Sequence, residues 1–141
     1  MSGIGNRISS VLSFHHALTA SPSATDYLGA LYAYTVDDVL KTGRALDPPI
    51  RKKQWCRQCR GEWQNWLPFY WKVPHAKKFE KIIHVELKRR GAWLGCEQCW
   101  FCLTLHQEKY DLRQIGGVTG FIAIVEAWLA ALGWPIIRVY M

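Results

Sequence analysis

The stretch YLGALYAYTVDDVLKTG, residues 27–43, decides the fold. Its first ten residues are rich in aromatic and β-branched side chains, which predicts a strand over residues 27–36. An Asp-Asp pair follows as a turn, and residues 39–42 predict a second short strand that stops at Gly43. The stretch therefore predicts a β-hairpin at the start of a folded domain.

The residues that follow the hairpin predict a third strand and three helices. Asp47 before Pro48 is typical of a helix N-cap with proline at the first helical position, so a helix is predicted from residue 48 to about residue 59. The third strand is predicted over residues 67–73, an amphipathic helix over 75–91 and an apolar helix over 118–132. This order predicts an α+β domain in which helices flank a small, mainly antiparallel three-stranded sheet.

The length and the charge distribution point to one basic domain. A chain of 141 residues buries one sizeable core, and we predict a flexible leader over residues 1–25 and the domain over residues 26–141. Residues 41–90 hold fourteen Lys or Arg and four acids, whereas the rest of the chain holds four and seven. One basic face on a nearly neutral body favours a polyanion as partner, and a solvated basic surface is the alternative.

A C-x2-C-x3-H motif at Cys99, Cys102 and His106 is the clearest candidate metal site. Two thiolates on a tight turn and an imidazole shortly after them suit the tetrahedral coordination of structural zinc. Cys59, which follows the basic helix, is the preferred fourth ligand. We therefore predict a zinc knuckle over residues 96–110 whose role is to stabilise the fold.

Other interpretations of the five cysteines stay open. Cys56 or Cys96 could replace Cys59, a four-cysteine set could exclude His106, and all five could be ordinary buried thiols. C-x2-C spacing without a convincing signal peptide indicates an intracellular protein, nuclear in a eukaryote and not secreted. A Glu and a Pro interrupt the apolar C-terminal run, so we predict no membrane span.

The helix predicted over residues 75–91 carries one acid that its pattern does not explain. Glu80 stands beside the apolar stripe and not among the outward-facing cations, so we expect its carboxylate to be half buried. Such a carboxylate needs a metal ion or a cation, for which Arg51 or a neighbouring Lys is the expected partner. In the same helix we expect His84 to be a satisfied helix residue and Glu86 to be solvated.

Several short motifs follow one another in a recognisable order. They are Gly29-Ala30-Leu31-Tyr32, Lys41-Thr42-Gly43-Arg44, Arg51, the helix segment Phe79-Glu80-Lys81-Ile82-Ile83-His84-Val85-Glu86-Leu87, and Cys99, Cys102, His106, Glu108 and Tyr110. In this order they resemble the GIY-YIG nuclease superfamily. The similarity is closest to its branch of DNA-binding domains named for open reading frame 172 of bacteriophage T-five, which has fungal members.

The resemblance implies a site that acts on DNA. Glu80 would hold Mg²⁺ or Mn²⁺, Arg51 would clamp a phosphate, and Tyr32 would orient the attacking water. Lys41 replaces the second tyrosine of the superfamily name and adds positive charge where a tyrosine could relay a proton. The residues expected to contact DNA are Arg44, Arg51, Lys52, Lys53, Arg57, Lys77 and Lys81.

We therefore predict a DNA-binding domain of low sequence specificity, with zinc as a structural metal and with no small-molecule cofactor. One alternative is an active endonuclease that hydrolyses DNA phosphodiesters with a divalent metal. Another is a zinc-stabilised protein-interaction module. The enzyme requires Tyr32, Arg51 and Glu80 to lie together beside the basic surface.

Overall fold

A computed structural model describes most of the domain. The backbone is described at residues 15–19, 21–22, 28–58, 64–98 and 105–141, and side chains are described in these ranges except at residues 55–58, 96–98 and 105–108. The helices are residues 15–19 (α1), Pro48–Gln58 (α2), Ala76–Arg89 (α3) and Gly117–Ala131 (α4). The strands are Gly29–Val36 (β1), Val39–Ala45 (β2), Asn65–Trp66 (β3), Phe69–Val73 (β4), Trp93–Gln98 (β5), Leu105–Asp111 (β6) and Ile137–Tyr140 (β7).

The strands form one antiparallel sheet. Its order is β5-β6-β2-β1-β4-β7, and β3 pairs with β1 beside this path. The predicted α+β class and the mainly antiparallel sheet are confirmed. The predicted number of three strands is wrong, because the described residues contain a seven-stranded sheet. The three predicted strands are its centre, β2-β1-β4, whereas β3, the β5–β6 hairpin and β7 were not predicted.

The β1–β2 hairpin turns as the sequence predicts. Val36 lies opposite Val39, and Asp37 takes a positive φ of 54°, a conformation that aspartate tolerates better than most residues. The second strand does not stop at Gly43, however, and continues to Ala45. Gly43 has a place in the ladder opposite Tyr32, so this glycine belongs to the strand interior.

The main core lies between the sheet and the helices α3 and α4. Leu31 and Ala33 of β1 both belong to this core, because residues two apart on a strand point to the same face of the sheet. The amphipathic pattern of α3 is confirmed, since its buried side chains recur every three or four residues. The helices contribute Phe79, Ile83 and Leu87 from α3 and Phe121, Ile124, Val125 and Leu129 from α4. Within the described residues, no helix has the length and hydropathy needed to cross a membrane.

Candidate nucleic-acid interface

Helix α2 carries the first group of predicted DNA contacts. The side chain of Asp47 accepts a hydrogen bond from the Ile50 backbone N–H at 3.3 Å, and Pro48 begins the helix, so the predicted N-cap is confirmed. Lys52 and Lys53 are exposed in the first two turns. Arg51 is partly buried, and its guanidinium donates to Gln54 at 3.3 Å. Arg57 belongs to α2, but its side chain lies outside the described ones.

Helix α3 carries the second group. Lys77 and Lys81 are exposed near its N-terminal end, and Lys88 is exposed near its C-terminal end. At 3.6 residues per turn, these three positions fall within about 40° of one another around the helix axis, so they form one stripe. The rise of the helix makes the stripe about 16 Å long.

Glu80 links α3 to the β1–β2 hairpin. Its Oε1 accepts a hydrogen bond from Nη1 of Arg44 in β2 at 2.9 Å. The Glu80 side chain is partly buried, as predicted, with 21% of it exposed. Arg44 was not among the cations expected for this role, because it is distant in sequence and comes close only when β2 packs beside α3.

Tyr32 and Lys41 lie on the other face of the hairpin. Tyr32 stands opposite Gly43, and Lys41 stands opposite Tyr34, so the side chains of these two catalytic candidates leave the sheet on the same side. Each is 6% exposed. They belong to an aromatic layer in which Trp66 stacks on both tyrosines, with ring centroids 5.1 Å from Tyr32 and 4.7 Å from Tyr34.

The aromatic layer contacts Lys41 through Tyr34 and leaves no room for a side chain at Gly43, because of Tyr32. The Lys41 ammonium nitrogen lies 5.6 Å from the centroid of the Tyr34 ring, a cation–π distance. A Cβ atom at position 43 would come within 2.8 Å of the Tyr32 hydroxyl oxygen. The glycine of the Lys-x-Gly-Arg motif is therefore required by the ring of Tyr32.

The structure thus divides the predicted catalytic residues between two faces of the hairpin. Arg44 alternates with Gly43 along β2, so the Arg44–Glu80 pair joins the side that carries α3. Tyr32 and Lys41 are directed to the opposite side. Arg51 lies in the first turn of α2, which packs beside β2.

Glu86 of α3 lies in an environment opposite to the one predicted. It was expected to be solvated, but it is 2% exposed and accepts hydrogen bonds from Arg89 at 2.8 and 3.0 Å and from Arg90 at 3.1 Å. Burial alone would raise the pKa of this carboxyl group, but the hydrogen bonds from the two arginines outweigh burial and lower the pKa. The buried residues of α3 recur at positions 79, 82, 83 and 86, and this helical spacing is the sequence signal that predicts burial of Glu86.

His84 is satisfied inside the structure, as expected. Its Nδ1 lies 2.8 Å from the hydroxyl oxygen of Tyr110, and the two rings stack with centroids 5.5 Å apart. Tyr110 is fully buried in β6, so this contact joins α3 to the strand that follows the cysteine cluster. The last residue of the C-x2-C-x3-H-x-E-x-Tyr motif therefore has a structural role.

The side chains of the predicted zinc ligands are not among those that the structure describes. Cys59, Cys99 and Cys102 lie outside the described residues, and of His106 only the backbone is described, in β6 opposite Glu97 of β5. Residues 99–104 connect these two strands. Among the side chains that are described, no three His, Cys, Asp or Glu are placed to hold a metal ion.

The fold and the interface together define a small α+β domain whose helices present a basic surface beside an antiparallel hairpin. The family model described as meiotically up-regulated gene 113 matches residues 37–131, from the turn between β1 and β2 to the end of α4. The chain therefore belongs to this family. A search of the curated proteins and a search of the solved structures each found no match.

Proposed function

We propose that this chain is a DNA-binding domain of low sequence specificity, with the GIY-YIG type of fold and with zinc as its structural metal. The observation that carries the proposal is the set of exposed lysines on two helices that both contact β2, namely Lys52 and Lys53 of α2 and Lys77 and Lys81 of α3. Lysines present a flexible point charge that suits phosphate oxygens without a fixed geometry.

The acids near this surface strengthen the argument, because intramolecular contacts engage them. Asp47 caps α2, Glu80 binds Arg44, and Glu86 is buried under two arginines. Each carboxylate described in the basic segment thus accepts an intramolecular hydrogen bond. A polyanion approaching α2 and α3 would meet mainly ammonium groups, which favours DNA over a solvated surface with mixed charge.

The expected specificity follows from the kind of contact. Lysine contacts to phosphates fix position and affinity but read no bases, so the domain is expected to bind duplexes of different sequence alike. Each neutralised phosphate releases counterions, and the logarithm of the affinity falls with the logarithm of the salt concentration by about 0.9 per phosphate.

The direct test is fluorescence anisotropy with a labelled duplex at several salt concentrations. The double substitution of Lys52 and Lys53 by Gln is expected to weaken binding at low salt and to reduce the salt slope by about 2. Lys72→Gln, which removes an exposed charge from β4, is the matched control and should change the slope little. A wild-type domain that does not bind duplex DNA at about 50 mM salt contradicts the proposal.

Cleavage of DNA is the second candidate function, and the partly buried carboxylate of Glu80 is the observation that favours it. One carboxylate can hold Mg²⁺ or Mn²⁺ when the ion keeps several waters, although Arg44 occupies one oxygen of Glu80. Tyr32 lies on the face of the hairpin opposite the Arg44–Glu80 pair, so the arrangement that the enzyme requires is not met. The burial of Tyr32 and Lys41 also argues against these side chains as groups that handle an attacking water, and binding therefore ranks above cleavage.

A plasmid assay separates the two functions. Supercoiled DNA is incubated with the protein and Mn²⁺ or Mg²⁺, and the Glu80→Ala variant is run beside it. Nicking that disappears in this variant supports the enzyme, whereas nicking that persists comes from another source. If the protein binds zinc but does not bind DNA at any salt concentration, the result supports a zinc-stabilised protein-interaction module instead.

A further inference from the structure

Trp93 differs from the tryptophans of the core because half of it faces solvent. Trp66 and Trp71 are buried, whereas Trp93 at the start of the edge strand β5 is 49% exposed. The next residue, Leu94, is 53% exposed. In a regular strand one of two successive side chains would turn toward the core, so this pair needs an explanation.

A β-bulge lies directly beside this exposed pair. Trp93 lies opposite Tyr110 and Gly95 lies opposite Lys109, so Leu94 is an extra residue between two ladder positions. Bulges bend a strand and redirect the side chains next to them. Gly95 has a φ of 89°, which glycine adopts without strain, and the bulge is therefore built into the sequence.

Positive charge lies directly beside the exposed indole. The ammonium nitrogen of Lys88 is 5.2 Å from the centroid of the Trp93 ring. Lys88 is also the last member of the stripe on α3 that begins with Lys77 and Lys81, so a polyanion lying along this stripe would reach Trp93 at its end. The centres of protein–protein interfaces are depleted of charged residues, so a lysine over the ring favours a nucleic acid over a protein partner.

We propose that Trp93 and Lys88 form a binding site for an unpaired nucleotide at the end of the basic stripe. The base stacks on the exposed part of the indole, and the ammonium group binds the adjoining phosphate. Aromatic rings stack on any base, because every base has a π face, so the site recognises single-stranded character and not sequence. This inference rests on the proposed DNA-binding function and names the kind of DNA that the domain prefers.

The test compares two labelled probes, a blunt duplex and the same duplex extended by a short single-stranded tail, by anisotropy. The wild-type protein is expected to bind the tailed probe about tenfold more tightly, the range typical of one stacked base. Trp93→Ala should bind both probes with the affinity that wild type has for the blunt one, and Trp93→Phe should keep part of the preference. Leu94→Ala removes a neighbouring exposed side chain and should keep all of it.

A second measurement reports stacking directly. A 2-aminopurine base placed in the tail is quenched when it stacks on an indole, and the quenching should be lost in Trp93→Ala and kept in Leu94→Ala. Because Trp93 is at the surface, the circular dichroism spectra and melting temperatures of the variants should match those of wild type. A match shows that a loss of binding is not caused by a folding defect.

Four outcomes overturn the inference. Equal affinity of wild type for the two probes overturns it while the blunt duplex still binds, and the proposed function then stands. A preference for the tail that survives in Trp93→Ala also overturns it. Self-association that is lost in Trp93→Ala, with unchanged binding to both probes, would assign Trp93 to a protein interface. Failure to bind either probe would overturn the proposed function as well.

Discussion

Substitution of Gly43 by alanine tests the contact on which the hairpin motif depends. Gly43 does not have a positive φ, so its backbone would accept any residue and only the space beside Tyr32 requires glycine. The added Cβ would lie 2.8 Å from the hydroxyl oxygen and 3.1 Å from Cζ of Tyr32. The ring cannot easily move away, because it is 6% exposed and stacks on Trp66.

Two opposing terms set the size of the effect. Overpacking of this kind costs about 1–3 kcal/mol, whereas alanine regains roughly 0.5–1 kcal/mol because glycine loses more backbone entropy in a strand. The contact with Tyr32 therefore outweighs the gain, and we expect a net loss of about 1–2 kcal/mol. For a chain of this length, that corresponds to a fall in Tm of about 3–7 °C.

The assay is thermal unfolding of four proteins: wild type, Gly43→Ala, Tyr32→Phe and the double variant. Removal of the hydroxyl oxygen leaves the Cζ contact, so the double variant should recover part of the loss and show a coupling of about 1 kcal/mol between the two positions. A Gly43→Ala protein that melts at or above the wild-type temperature would refute the packing argument. A full loss with no coupling to Tyr32 would place the clash elsewhere.

Three further predictions concern the supports of the fold. Gly120→Ala would place a Cβ 1.8 Å from the backbone oxygen of Ile115, so we expect the free energy of unfolding, measured in urea, to fall by about 3 kcal/mol. Thr119→Ala, at an exposed neighbouring position, is the control and should change it little. Glu126 accepts hydrogen bonds from Arg138 and Trp71, and the Arg138 contact is the main reason why its pKa lies below the ordinary 4.5. Its contribution is therefore fully present above pH 4.5 and lost as the pH falls through the lowered pKa, so the Tm values of wild type and Glu126→Gln should converge in acid and differ at pH 7. Cys99→Ser is expected to lose bound zinc in metal analysis together with several degrees of Tm, and a variant that keeps both contradicts the zinc site.

The local elements could be predicted because their signals are short-range. Each signal lies within one element: the aromatic and β-branched run of β1, the capping aspartate of α2, the apolar periodicity of α3 and the apolar run of α4. The structure confirms these elements, with ends that shift by one to three residues.

The additional strands and the environment of the acids could not be read in the same way. The β5–β6 hairpin overlaps a segment whose cysteines predict a metal knuckle. Because the segment was assigned to the knuckle, β5 and β6 were not predicted as strands. Glu80 finds Arg44 across 36 residues of sequence, a separation at which helical spacing says nothing about neighbours. Trp93 lies on the edge strand of the sheet, a position that exists only once β5 pairs with β6.

By itself, the amino-acid sequence determined the class of fold, the positions of the principal helices and the concentration of cations in residues 41–90, because periodicity, capping and charge are properties of neighbouring residues. Tertiary structure alone decided which residues face one another. Strand pairing placed Tyr32 over Gly43, and the packing of α3 on β2 placed Arg44 on Glu80. These contacts join residues distant in the chain, and the free energy that selects them comes from burial and hydrogen bonding in the assembled domain.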